Sequence, residues 1–247
     1  MIQTVASLRH AIADDLRNQI STGRIKAGER LPSEAQLASH YSVSTPTLRS
    51  ALAVLQGEGL VEKIHGKGNF VRHPLRRITY IGGGRASEPQ TAADADLRVS
   101  VRTTSLRARG HLTALLGVPA SSPLTELLCL SHEGSSPHSL ARIYVPRDLA
   151  PNHLPRESSW LGGIESRLAQ LRPPLAEIRE KVTARLPTPA EAATLRISPT
   201  LAILAITRVS ADTTGRVVEA TFLVLPGDRA DAVFTTNHTT DEKGAEG

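Results

Sequence analysis

Arg49 stands one turn into a segment that opens Ser44-Thr45-Pro46-Thr47, and this arrangement has the chemistry to read a nucleic acid. A guanidinium offers two parallel N–H groups that match guanine O6 and N7, and it can equally clamp a phosphate. Thr45 and Thr47 add hydroxyls for phosphate oxygens and methyls for a thymine methyl. Upstream, Arg30 and Ser33 precede a second helical segment, where free N–H groups suit a backbone phosphate. Downstream, His65-Gly66-Lys67-Gly68 makes a hairpin tip whose glycines let it approach a duplex closely. His65 and Lys67 then reach a minor groove or its phosphates. Each position also has a plainer reading. Ser33 and Ser44 serve as helix caps, Arg30 can pair with Glu29 or Glu34, and His65 can be a solvated turn residue.

The elements that must position these side chains follow from the pattern around them. Val5, Leu8, Ile12, Leu16 and Ile20 recur at spacings of three and four, one face of a first helix that Gly23 stops. Ser33 and Gln36 have the spacing of a capping box, and Leu37 and Tyr41 give the short helix behind them its apolar side. Ser44 caps the next helix. Pro46 in its first turn lacks only an N–H that would have no partner there. Leu48, Ala51, Leu52 and Leu55 form its buried stripe, and Gly57 and Gly59 end it. Residues 60–64 and 69–71 then read as the two strands of a wing. The expectation is a winged helix-turn-helix domain over residues 1–74, with the Ser44–Arg49 face fitted to the major groove.

Bulk properties agree. The chain has 247 residues, 40% hydrophobic and 21% charged, enough for a small and a medium folded domain. Its net charge is +5, the sign expected for a partner made of phosphates. Within residues 1–74, nine basic side chains stand against six acids, so distribution over one face matters more than the total. No apolar run approaches the about 20 residues of a membrane span. Asp14 and Asp15 lie where a signal peptide needs an apolar core. A cytoplasmic protein with no membrane partner is expected. The single cysteine, Cys129, excludes an intrachain disulfide and reads as a buried strand residue.

Residues 75–96 carry Gly82-Gly83-Gly84 and a polar run and read as a linker, with Ile78, Tyr80 and Ile81 able to form a short strand. The triple glycine is a flexible joint or a phosphate cradle, but no P-loop, since no Lys-Ser/Thr follows. The block 97–236 alternates strand patterns with short helices: strands over 97–107, 124–130, 140–145, 177–185, 201–210 and 216–225, and helices over 111–117, 160–171 and 188–195. Hairpin spacing predicts an α+β domain with an antiparallel sheet. LLGVPASSPLTELLCLS and TLRISPTLAILAITRVS share one pattern, which is either a pseudo-repeat or chance. A disordered tail is expected over 237–247. His111, His132, His138 and His153 are scattered without metal-ligand spacing, and no nucleophile elbow occurs. No catalytic residues, metal or cofactor are therefore expected, and an enzyme is the distant alternative.

LPSEAQLASHYSVSTPTLRSALAVLQGEGLVEKIHGKGNFV resembles the N-terminal domain of GntR-family bacterial transcription regulators, gap-free over about residues 7–72. The resemblance implies that Arg30, Arg49 and Gly66 approach DNA. Thr45 stands where the family usually has arginine, and Pro46 beside it is also a departure. Losing that guanidinium removes a phosphate or guanine contact, which implies an operator different from the common family half-site. ALLGVPASSPL, LARIYVPRDLAP and VVEATFLVLPGDRADAVF resemble the UTRA ligand-binding domain of the HutC subfamily, which has a chorismate-lyase-like fold. That implies an effector pocket drawing on Arg142, Tyr144, Glu219, Asp228 and Arg229, although structural ion pairs explain the charged ones equally well. Relatives that recognise phosphosugars use arginines on the strand that here reads TELLCLSH, which has none, so a less charged ligand is implied. The resemblance as a whole implies a homodimeric repressor of a double-stranded, pseudo-palindromic operator, released by a small-molecule effector. The alternative is a constitutive repressor whose second domain only dimerises.

Overall fold

The computed structural model describes residues 5–73, 77–82, 97–134, 136–150, 157–158 and 168–236. The N-terminal domain contains α1 (Val5–Ser21), α2 (Glu34–His40), α3 (Thr45–Gly57) and the antiparallel pair β1 (Val61–Ile64) and β2 (Gly68–Val71). The apolar stripes predicted from spacing meet as one core. Ile12 and Leu16 of α1 pack with Leu37 of α2, Leu48 and Leu52 of α3, and Val61 and Val71 of the wing. A third extended segment precedes α2. Leu31 N donates to Asn69 O, Val71 N donates to Glu29 O, and Arg30 bridges Phe70. Arg30 therefore stands beside the wing.

The C-terminal domain contains β3 (Ile78–Ile81), β4 (Leu97–Arg107), α4 (His111–Leu116), β5 (Pro123–Glu133), β6 (Ser136–Pro146), β7 (Glu157–Ser158), β8 (Leu175–Arg185), α5 (Pro189–Leu195), β9 (Ile203–Asp212), β10 (Val217–Pro226) and β11 (Ala230–Val233). Seven strands form one antiparallel sheet in the order β7-β4-β5-β6-β10-β9-β8. The repeat is real in three dimensions. β4-α4-β5-β6 and β8-α5-β9-β10 have the same order, and β6 and β10 join the halves down the middle. Each helix crosses to the other half. Leu195 of α5 packs with Leu140 of β6, and Leu112 and Leu116 of α4 pack with Ala220 of β10. Both helices end in a left-handed residue, Gly117 at φ 61° and Arg196 at φ 52°.

The sheet has two working faces. One carries α4 and α5. The other holds Val99, Leu127, Cys129, Ala141, Ile143 and Val145 under Leu168, with Cys129 buried as expected. The ribbon β3–β11 is parallel, and Ile78 N donates to Arg229 O at 2.7 Å. Residues 78–81, inside the segment read as a linker, are thus tied to this domain. β5, β6 and β8 start one to four residues before their sequence-based bounds, because pairing with a neighbour extends them, while β9 and β10 lie one or two residues later than expected and β4 matches. Gly83, Gly84, most of the 160–171 helix and the 237–247 tail lie outside the described residues.

Candidate nucleic-acid interface

The reading helix is set by its caps. Ser33 accepts from Gln36 N while Gln36 Oε1 accepts from Ser33 N at 2.9 Å, the reciprocal capping box. Ser44 accepts from Thr47 N and shares a 2.9 Å hydrogen bond with the Thr47 hydroxyl. Both serines are therefore caps, and both residues remain exposed. None of Arg30, Ser33, Ser44, Thr45, Thr47, Arg49, His65, Gly66 and Lys67 is buried. The wing tip turns at Gly66, φ +72°, with open space around its Cα. At Gly68, φ +112°, an added Cβ would stand 3.3 Å from Arg30 Nε. The Arg30 guanidinium thus lies across the wing, as the pairing of its backbone requires.

Arg49 is 64% exposed, and its Nε donates to Glu34 Oε2 at 2.6 Å. Lys63 of β1 reaches the other carboxylate oxygen at 3.4 Å. The Arg49 hydrogen bond, reinforced by Lys63, holds the Glu34 carboxyl below the usual carboxylate range. Sequence reasoning offered Glu34 to Arg30; the fold gives it to Arg49 and Lys63 instead. The spacing Glu34–Arg49 fits no helical or strand period, so only the packing of α2 against α3 could disclose it. Behind this face, Arg17 of α1 grips Glu58 at 2.6 Å and also bonds Asp14, fixing α1 to the end of α3.

The effector-site residues implied by resemblance separate in space. Ala220 lies opposite Tyr144 and Phe222 opposite Arg142. Alternation along a strand then puts Glu219 on the reverse face from Arg142 and Tyr144. Arg142 and Tyr144 converge on Glu126, the tyrosine hydroxyl donating to it at 2.8 Å, and the Tyr144 ring meets Phe222 edge-on. Glu219, 2% exposed, accepts from Arg172 Nη1 at 2.6 Å and from the Thr221 hydroxyl at 3.0 Å, with Arg208 Nη2 at 3.6 Å. Buried Thr125, Ser131, Ser139 and Ser210 share that face. These compensated polar groups adjoin the apolar cluster of Leu127, Ala141, Ile143 and Val145 on the same face.

Asp228 and Arg229 do a third job. Asp228 accepts from Arg72 Nη1 at 2.7 Å, with side chains only 14% and 10% exposed. Arg72 lies just past β2 and also donates to Gly59 O at 3.3 Å. A Cβ at Gly59, φ +74°, would run into the Asp228 carboxylate. The turn after β10 therefore seats on the loop that ends α3. Arg229 is buried and donates to Pro137 O at 2.8 Å, and burial pushes its guanidinium down to about 10. Beside this junction, a cavity of about 900 Å3 opens between the wing and α5, lined by Lys63, His65 and His73 on one side and by Ala192, Arg196 and Pro199 on the other.

Among the described residues no three His, Cys, Asp or Glu side chains are placed to hold a metal ion, and no helix is long and apolar enough to cross a membrane. Residues 8–71 match the gntR family of bacterial regulatory proteins, and residues 98–231 match the UTRA domain. The HTH-type transcriptional regulator RB1450 of Rhizobium meliloti (strain 1021) is 29% identical over 92% of this chain and 94% of its own. The HTH-type transcriptional repressor NagR of Bacillus subtilis (strain 168) is 24% identical over 92% and 93%. The crystal structure of PhnF from Mycobacterium smegmatis has the same fold, with a TM-score of 0.57 and 21% identity over 92% of this chain and all of that one.

Proposed function

We propose, starting from a chain that belongs to the GntR family of bacterial transcription regulators in its UTRA-bearing HutC subfamily, that it is a homodimeric repressor released from a pseudo-palindromic operator by a small molecule. Residues 1–74 read DNA, 75–96 connect, with 78–81 tied to the second domain, and 97–236 bind the effector and dimerise. The observation that carries the reading is the route between the two sites. Strand β10 carries buried Glu219 near its start and leads into the turn that holds Asp228, which grips Arg72 and packs against Gly59 at the foot of the reading helix. A ligand that rearranges the Glu219 cluster would shift that strand, and the strand would turn the helix. Two winged helices on one dimer read two half-sites. By linkage, operator DNA must lower effector affinity by the factor that effector lowers operator affinity.

DNA contact is assigned to Arg30, Ser33, Ser44, Thr45, Thr47, Arg49, His65, Gly66 and Lys67, and effector contact to the Glu219 face. Dimerisation is supported by Val182, Ile81, Val233 and Phe234, large apolar side chains left exposed along β8 and the β3–β11 ribbon. β8 also ends the sheet among the described residues, and such edges invite a partner.

A second reading keeps DNA binding without an effector. Glu219 is already satisfied by Arg172, Arg208 and Thr221, as a purely structural cluster would be. The test is selection of bound sequences from random duplex DNA, checked by anisotropy at two salt concentrations, followed by a small-molecule melting screen. A spaced palindrome bound far above scrambled DNA, with a ligand that raises the melting point and releases the operator, supports the proposal. Weak binding that only follows salt overturns specific regulation. An operator with no stabilising ligand leaves the constitutive repressor.

A further inference from the structure

An acid has no obvious place on a surface meant for phosphates, yet Glu34 sits at the middle of this one. It is the first residue of α2, one position after the Ser33 cap, and it joins the two elements that address DNA. Its Oε2 takes Arg49 Nε from α3 and its Oε1 takes Lys63 Nζ from the wing. At 20% exposure it is far more enclosed than Arg49 at 64% or Lys63 at 60%. The carboxylate is thus the enclosed part of the constellation and the two cations are its exposed arms.

The atom chosen on Arg49 matters. A guanidinium held through Nε has one edge spent, and its swing about the side-chain torsions is restricted. Among the described residues the two Nη groups of Arg49 meet no acceptor. Those two N–H groups are the pair that fits guanine O6 and N7 end-on. An unheld arginine at a helix surface folds readily onto a phosphate, which carries no sequence information.

We infer that Glu34 is a specificity-determining positioning residue: it holds Arg49 by Nε so that the Nη pair faces a base edge, and it lowers affinity for phosphate alone. This deepens the DNA-reading function proposed above and rests on it. The acid trades general affinity for discrimination. Its charge repels every phosphate alike, while its hydrogen bond favours only the duplex that presents a guanine to the held fork. Lys63, on the same carboxylate, sets the wing's distance from α3, so base reading and wing contact are kept in register.

The experiment compares the full-length parent with Glu34→Ala, Glu34→Gln and Arg49→Ala, by selection from random duplexes and by anisotropy on the selected operator and a scrambled duplex. Melting temperature serves as the check on folding. The parent should select one guanine per half-site that Arg49→Ala no longer selects. Glu34→Ala should lose discrimination at that same base pair by about tenfold, within the range a bidentate contact supplies, while its affinity for scrambled duplex rises. Glu34→Gln keeps an oxygen for Nε and removes the charge. It should retain most of the base preference, which a general disturbance of α2 would not allow. A Glu34→Ala selection profile identical to the parent's overturns the inference, as does an equal shift in affinity for operator and scrambled duplex. If the parent selects no sequence at all, the DNA-reading function has failed. If the parent selects an operator that Arg49→Ala reads equally well, Arg49 is no reader and the positioning role falls with it.

Discussion

Two carboxylates, one in each domain, are held by arginines at the same 2.6 Å, and they do opposite things. Glu34 pairs with an arginine that is 64% exposed, and Glu219 with one that is 11% exposed while being 2% exposed itself. A site for a polyanion must stay wet and open, so its residues keep their charges at little desolvation cost. A buried face must compensate each charge inside the protein. The first kind of site draws its cations from the next two elements, Arg49 and Lys63 standing 15 and 29 residues after Glu34. The second combines Thr221 and Arg208 from its own and the adjoining strand with Arg172, from a turn 47 residues before Glu219. The difference sets where the protein is fragile and where it is specific.

The largest expected effect tests the buried side. Glu219→Ala leaves Arg172 and Arg208 without their shared acid, and breaking a buried pair by removing one partner costs about 3–5 kcal/mol. Urea unfolding should show that loss in the C-terminal domain. A variant as stable as the parent would mean that solvent enters this face and that the cluster is not the domain's electrostatic keystone.

The junction between the domains comes next. Arg72→Ala should cost about 2–3 kcal/mol, the scale of a hydrogen bond between charged groups with little exposure. Asp228→Ala should cost about the same, and the double variant no more than either single one, because the two act as one contact. Additive losses in a double-mutant cycle would show that the residues act separately. If the junction carries the coupling, these variants also bind operator with affinity that no longer responds to effector, although their isolated domains stay folded.

On the open side the losses appear in binding and not in stability. Arg49→Ala should weaken operator binding by about 1–3 kcal/mol and relax one base position, whereas Lys67→Ala should weaken all sequences alike and reduce the salt slope by about 1. Should the two variants behave alike in both respects, Arg49 contacts only phosphate.

Legibility in the sequence divides instead between local features and contacts between elements. The helices of the N-terminal domain, their caps and the wing were readable because period, cap and turn are local properties. The strand-helix-strand-strand repeat was visible for the same reason. Three features were not. Ile78–Ile81 and Ala230–Val233 are four-residue strands about 150 positions apart, and nothing local marks either as the other's partner. The Glu34–Arg49 contact depends on how α2 packs on α3. The separation of Arg142 and Tyr144 from Glu219 depends on the register of β6 against β10. A shift of one residue would have put all three on one face. Motifs name residues, but only register says which of them meet.

The smallest effect sharpens the comparison most cleanly, because both domains use one device in two chemical forms. α2 and α5 each open with a capping box, Ser33 with Gln36 and Thr188 with Glu191. The first cannot titrate. In the second, Glu191 accepts from Thr188 N and takes both Nη groups of Arg185 at 2.7 Å. The Arg185 hydrogen bonds, and then Thr188, outweigh burial and bring the carboxyl from its ordinary 4.5 down to about 2. A carboxyl depressed in the folded state contributes stability that is present above its unfolded value and is lost as pH falls through its folded one. The window is therefore about pH 4.5 down to 2. Arg185 is 38% exposed, so solvent screening holds the contribution to about 1 kcal/mol. Stability of the C-terminal domain should fall by that amount across the window, and Glu191→Gln, which copies the α2 form of the box, should remove the dependence while keeping the cap. Thr188→Ala should cost about 1 kcal/mol at neutral pH by losing the cap itself. Denaturant unfolding at stepped pH separates the two, since only the glutamine variant flattens the acid limb. If that variant keeps the parent's acid limb, the pH dependence belongs to another carboxylate, and the two capping boxes are interchangeable after all.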